Sequence, residues 1–168
     1  IKHNIAYVSK DRDNESLVIN DSIRDNICLT SMDRLSKHHI ILNKKLDQFA
    51  NRYAKIVSVK MVGVGQFVSD LSGGNKQKVA LARWIGKDSD ILVLDSPTRG
   101  IDVKVKADIY ALMSDMKKQG KSTIVISEEI LELLGMCDRI LVMKEGAFSG
   151  EFKRDPALTE EDFIAKMV

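Results

Sequence analysis

Two segments, one after the other, constrain this chain more than anything else in it. The first is Leu71-Ser72-Gly73-Gly74-Asn75-Lys76-Gln77-Lys78; the second, past Val79–Asp90, is Ile91-Leu92-Val93-Leu94-Asp95, followed by Ser96-Pro97-Thr98. A serine ahead of two adjacent glycines, opening a helix, leaves backbone N–H groups and a hydroxyl at the positive end of the helix dipole, where an anion is favoured. In isolation such a turn merely caps a helix in many proteins. The apolar run suits a strand buried in a parallel sheet, and the carboxylate at its C-terminal end falls where open α/β sheets meet their ligands. Together the two call for a sheet that feeds helices, with an anion site near a carboxylate.

The rest of the chain reads consistently with that. Ile5-Ala6-Tyr7-Val8 is a strand running into the polar loop Ser9-Lys10-Asp11-Arg12-Asp13-Asn14. From about residue 21 to 70 the pattern turns helical: Ser22 caps a short helix through Leu29, and Leu42, Leu46, Phe49 and Tyr53 form an apolar stripe on a second one. Beyond it, helices over Gly74–Ile85, Lys104–Gln119 and Glu129–Leu134 alternate with strands at Ile91–Leu94 and Thr123–Ile126. Ile140–Met143 and Phe148–Phe152, around Lys144-Glu145-Gly146, read as an antiparallel hairpin, and Thr159 caps a last helix with Phe163, Ile164 and Met167 inward. The expected class is α/β: a mostly parallel sheet with helices on both faces, a small helical subdomain and a C-terminal β-hairpin.

Composition removes several function classes. The 168 residues are 44% hydrophobic and carry 26 basic against 24 acidic side chains, a net charge of +2, which argues against a disordered tail and a basic nucleic-acid surface. No nucleic-acid partner is expected. Apolar runs break far short of the ~20 residues a membrane helix needs, so a membrane role would be peripheral. Cys28 and Cys137 match no metal-ligand spacing and read as reduced thiols; His3, His38 and His39 fit no catalytic pattern and read as solvated. Ile1-Lys2-His3-Asn4 shows neither an initiator Met nor a signal-peptide pattern, so the sequence reads as cut from something longer.

With those residues in place, the chain resembles the ATP-binding-cassette (ABC) ATPases. It is most similar to the second cassette of the two-cassette ATPases that drive bacterial ribose, galactose and xylose-type sugar importers. Leu71–Lys78 resembles the ABC signature, Ile91–Asp95 the Walker B strand, and Thr98-Arg99-Gly100-Ile101-Asp102 the D-loop of that group. Glu132–Met143 resembles its run into the closing hairpin, and Tyr7–Arg12 the loop that stands where other cassettes carry the Q-loop. The resemblance implies a partial P-loop NTPase fold, with 1–168 as the C-terminal portion of a nucleotide-binding domain. About 1–20 would be core strand and Q-loop-like loop, about 21–70 the helical subdomain, and about 71–168 the signature, Walker B, D-loop, switch region and hairpin. It implies ATP and Mg²⁺ as cofactors: Ser72, Gly73, Gly74 and Asn75 would contact nucleotide held by a partner cassette, Asp102 would join them from the D-loop, and Asp95 would hold Mg²⁺. The implied partners are a second cassette and a transmembrane permease reached through the helical subdomain, at the cytoplasmic face of the membrane.

The departures from the family pattern are as informative. No Gly-x-x-x-x-Gly-Lys-Ser/Thr loop occurs among these residues. Gly120-Lys121-Ser122 reads as a helix terminus leading into a strand, and Val62-Gly63-Val64-Gly65 as a flexible lead into the signature. Ser96 stands where active cassettes place a glutamate, Glu128 where they place a histidine, and Lys10 where the sugar group usually has an acidic residue. A hydroxyl accepts no proton at neutral pH, and losing a positioned base typically costs about 10²–10⁴ in rate. The expectation is a cassette that donates its signature while its own hydrolytic site is degenerate. The alternative is a non-hydrolysing regulatory or interaction module on the same fold.

Overall fold

The computed structural model describes residues 3–36 and 40–167. His38 and His39 lie outside the described residues; His3 is exposed. The chain divides into two compact units, Ile1–Ile126 and Ser127–Val168.

The first unit is built on three parallel strands in the order β1 (Ile5–Val8), β2 (Ile91–Asp95) and β3 (Ser122–Ile126). Ile5 pairs with Ile91, Tyr7 with Val93, and Asp95 with Ile126. Alternation along the strands puts Ala6, Val8, Leu92 and Leu94 on one face, each 1% exposed or less. Two helices pack on the sheet: α4 (Gly73–Lys87) against β1 and α5 (Val103–Lys118) against β3. On the other face Ile5, Tyr7, Ile124 and Ile126 remain 44–53% exposed. Cover on both faces was the expectation from the unbroken apolar runs; among the described residues one face is covered and the other is open.

Two helices start at a local capping signal. Ser22 caps α1 (Ile23–Cys28) by accepting from the Asp25 amide, and Asp102 caps α5 by accepting from the Val105 amide. A tight 3₁₀ turn, Leu29–Ser31, and the single turn α2 (Met32–Leu35) follow α1. Helix α3 (Asn43–Ile56) differs from its expected stripe: Leu42 precedes it and is exposed, while Leu46, Ala50 and Ala54 are the buried residues. Helix α3 packs against α1 and α4, and Phe49 and Tyr53, with ring centroids 4.6 Å apart, lie over Gly86 of α4.

A buried cation fastens these pieces together. Arg83 of α4 is 6% exposed and donates to the carbonyls of Ser16 and Asn26 and to Asn26 Oδ1. Among the described residues no carboxylate pairs with it, and burial pushes its guanidinium down to about 10. Asn26 in turn accepts from the Val18 amide and donates to the Val18 carbonyl, so α1 and the end of the first loop are tied to one side chain.

The second unit contains α6 (Ile130–Met136), the antiparallel pair β4 (Arg139–Lys144) and β5 (Ala147–Lys153), and α7 (Glu160–Met167). Its core is Ile140, Val142 and Phe163, with Phe152 against Phe163 at 4.4 Å between centroids. Asp162 Oδ2 accepts from both the amide and the hydroxyl of Thr159, a capping exchange run from within the helix.

Candidate functional site at the start of the fourth helix and the end of the second strand

The signature residues open α4. Ser72 sits at its N-cap with extended backbone (φ −63°, ψ 155°) and makes no capping bond, so the first amides of the helix keep their outward N–H groups. Its exposed hydroxyl accepts instead from Asn75 Nδ2 at 3.0 Å, and Asn75 Oδ1 accepts from the Lys60 amide at 2.8 Å. This orients the Asn75 amide group between the helix start and the segment leading into it.

Both glycines are in close quarters. A Cβ on Gly73 would lie 2.7 Å from Arg12 Nη2, and one on Gly74 would lie 3.2 Å from Val105 Cγ2. Arg12 belongs to the loop after β1, which forms a single π-type turn, Arg12–Ser16. Asp11 closes that turn by accepting from the Asn14 amide and side chain, and those bonds hold its carboxyl below the usual range. Lys76 of α4 pairs with Asp13 at 3.2 Å.

At the end of β2, Asp95 is half-buried on the open face of the sheet. Its Oδ2 accepts from the Tyr7 hydroxyl at 3.2 Å and its Oδ1 from the Ser96 hydroxyl at 3.1 Å. Partial desolvation, and further the Asp95 carboxylate, push the Tyr7 phenol above its usual value. Ser96 has φ +47°, a left-handed conformation that costs a non-glycine residue about 1–3 kcal/mol and is held here by its amide bonding the Ile126 carbonyl at 2.8 Å. A turn then runs from Ser96 to Arg99, whose amide donates to the Ser96 carbonyl, and on through Gly100 at φ +68° to the Asp102 cap.

The family assignment rests on residues spanning this site. The profile of the ABC transporter family matches residues 1–99. The chain belongs to the ABC transporter family. It is 47% identical over 161 residues to the xylose import ATP-binding protein XylG of Thermoanaerobacter pseudethanolicus, covering 96% of this chain and 32% of that one. It is 41% identical over 160 residues to the ribose import ATP-binding protein RbsA of Bacillus cereus, with 95% and 32% covered. It is 42% identical over 161 residues to the L-arabinose transport ATP-binding protein AraG of Geobacillus stearothermophilus, with 96% and 31% covered. This ABC chain therefore spans about a third of the length of these relatives. Among solved structures, the cassette MJ0796 in a dimeric post-hydrolysis state with ADP and Pi superposes with a TM-score of 0.75 at 22% identity, over 90% of this chain and 63% of that one. The α/β cassette fold follows from that likeness.

Within this ABC chain, the residues singled out from sequence form two clusters. Ser72, Gly73, Gly74 and Asn75 share the first turn of α4, with Asp102 close by in sequence to Val105, which touches Gly74. Asp95 and Ser96 share the end of β2. Glu128 belongs to the second unit, in the connection between β3 and α6. Gly120 has φ +78° and ends α5, with Ser122 beginning β3, so Gly120-Lys121-Ser122 is a helix terminus and Lys121 pairs with Asp88. Two residues were read from sequence only as the ends of the Tyr7–Arg12 loop, without roles of their own: Tyr7, whose reach to Asp95 depends on the register of β1 with β2, and Arg12, whose aim depends on a turn that has no periodicity.

The donor sets suit the family's cofactors in part. Asp95 offers carboxylate oxygens with no cation partner among the described residues, and each accepts a hydroxyl bond that leaves a lone pair free. No group of three His, Cys, Asp or Glu side chains able to hold a metal occurs among the described residues. A single carboxylate with free lone pairs suits Mg²⁺, which commonly takes one or two carboxylates and fills the rest with water and phosphate oxygens. The start of α4 suits a phosphate.

Proposed function

We propose that this chain is part of the ATP-binding component of an ABC transporter that imports a sugar or related small molecule. In it, the first turn of α4 contacts ATP held by a partner cassette, while its own hydrolytic site is degenerate. The observation that carries this reading is Ser72, exposed, without a capping bond, ahead of free amides on two glycines. Asp95 would hold Mg²⁺ on its own side. When bound, the metal would neutralise phosphate charge, and Tyr7 and Ser96 would keep the carboxylate in place.

Ser96 supports the degenerate half of the reading. Its hydroxyl is spent as a donor to Asp95 and is no proton acceptor. A partner would supply the phosphate loop that these residues lack. ATP would then favour the closed pair through phosphate contacts made only in that state. Association with the permease through the helical subdomain, and a place at the inner face of the membrane, complete the proposal; no helix among the described residues is long and apolar enough to cross a membrane.

The test is pairing. The chain is mixed with cassettes from the same genome that carry a Gly-x-x-x-x-Gly-Lys-Ser/Thr loop, and complex formation is followed by light scattering with and without Mg-ATP. ATP-dependent pairing that Ser72→Arg abolishes is expected; ATP-independent behaviour in every combination overturns the reading. The chain alone is expected to hydrolyse Mg-ATP negligibly, and a turnover that survives purification and is lost in Asp95→Asn contradicts the degenerate site.

A further inference from the structure

The guanidinium of Arg12 lies across Gly73, its Nη2, Cζ and Nε 2.7, 3.4 and 3.8 Å from where a Cβ would stand, while Nη1 donates to the Arg99 carbonyl at 3.3 Å. That carbonyl is its hydrogen-bond partner among the described residues, and it has no ion-pair partner there. The position is not one that local electrostatics favours. A cation beside a helix N-terminus loses about what a carboxylate there gains, 0.3–1 kcal/mol. What the placement provides is a connection. One side chain touches the turn that opens α4 and the turn that leads from β2 into α5, two segments separated by more than twenty residues of helix and strand.

The base of that side chain is fixed. Ser9 Oγ bonds Glu15, the Ser9 amide donates to Ser16 Oγ, and Asp11 closes the turn through Asn14. The loop is then attached to α4 twice more, through Asp13 with Lys76 and through the Ser16 carbonyl with Arg83. Gly73, Lys76 and Arg83 follow one another at spacings of three and seven, which places all three attachments on one face of the helix. On its other side the signature turn meets Val105, whose amide Asp102 caps. The Gly73–Gly74 turn is thus wedged between Arg12 and the first turn of α5.

We propose that Arg12 is a positioning residue that holds the Gly73–Gly74 turn and the Arg99–Asp102 turn at a fixed spacing, so that both are presented to a partner's nucleotide as one surface. The consequence for that nucleotide rests on the pairing reading above; the coupling of the two turns does not. Lysine cannot replace it. A single ammonium cannot both lie flat on a glycine and reach a carbonyl beyond it, as a planar guanidinium does.

The experiment uses the full 168-residue chain, ¹⁵N-labelled, as wild type, Arg12→Gln, Arg12→Lys and the control Asp13→Asn. Backbone order parameters are measured at Gly73, Gly74, Arg99 and Gly100. In wild type all are expected near the rigid value of about 0.85, and in Arg12→Gln both turns drop together towards 0.6 while Val79–Ala82 stay rigid. Arg12→Lys behaves like Arg12→Gln, and Asp13→Asn loosens the loop alone. Response of only one turn, of neither, or retention of wild-type order in Arg12→Lys overturns the proposal. In the pairing assay, Arg12→Gln weakens ATP-dependent association about tenfold and Asp13→Asn leaves it unchanged; equal pairing by Arg12→Gln and wild type refutes the functional half. Absence of pairing by wild type fails the proposed function, while the order parameters still decide the coupling.

Discussion

Arg83 is the side chain whose loss should be felt most widely. Arg83→Met keeps much of the volume but leaves the Ser16 and Asn26 carbonyls buried without its donors and Asn26 Oδ1 with the Val18 amide alone, for an expected cost of about 1–3 kcal/mol, read as a lower urea midpoint. Titration gives a second residue-scale expectation. Bonds from Lys87, Lys121 and Thr159 hold the carboxyls of Asp33, Asp88 and Asp162 below their usual value. A carboxylate lowered in this way adds stability above its unfolded pKa and loses it as pH falls through the folded one. Burial pushes the Cys28 thiol up to about 11, and the sign there is reversed: its contribution is complete below the ordinary thiol value of 9.0 and is lost as pH rises towards 11. The urea midpoint should therefore fall below about pH 4 and again above about pH 9, and Cys28→Ala should flatten the alkaline limb.

Between elements, the contact of α3 with α4 turns on one position. A methyl at Gly86 would meet Phe49 Cζ at 2.9 Å and Tyr53 Cδ2 at 3.3 Å, so Gly86→Ala should lower stability by about 1–3 kcal/mol despite its better helix propensity. Differential scanning calorimetry of the single variant checks this. Asp102→Ala removes the α5 cap and should cost about 0.5–2 kcal/mol by itself. A pairing defect larger than that loss explains would mark a role beyond capping. The start of α1 was legible from sequence because its cause is local: Ser22 caps within three residues of itself, whereas Asp102 was read only as a D-loop residue and its capping of α5 came from the structure. The α3 stripe was legible at Leu46, Phe49 and Tyr53, whereas Leu42 lies ahead of the helix, and the buried Ala50 and Ala54 were missed because large apolar residues dominate a periodicity argument. Arg12 and Tyr7 were illegible for a different reason. Each acts on a residue far along the chain, and only the strand register and the turn after β1 bring the two together.

At the scale of the molecule, the two units keep separate cores. Phe163→Ala removes the largest side chain of the smaller one and should cost about 3–5 kcal/mol there. Amide exchange should then rise across residues 127–167 while protection of β1, β2 and α4 is retained; uniform loss across the chain would contradict independent cores. The parallel sheet was foreshadowed by the apolar runs. The open face was not, because an apolar run specifies that a strand wants cover on both sides and carries no information on what supplies it. The distribution of aromatic residues over the two units decides how such experiments can be read. The single tryptophan, Trp84, lies in α4 beside Arg83, and all three tyrosines, Tyr7, Tyr53 and Tyr110, belong to the first unit, while the second has only phenylalanines. The chain's intrinsic fluorescence is thus a private channel to the signature helix and its surroundings. A melt followed by emission would report a fully folded protein even after the hairpin unit had come apart.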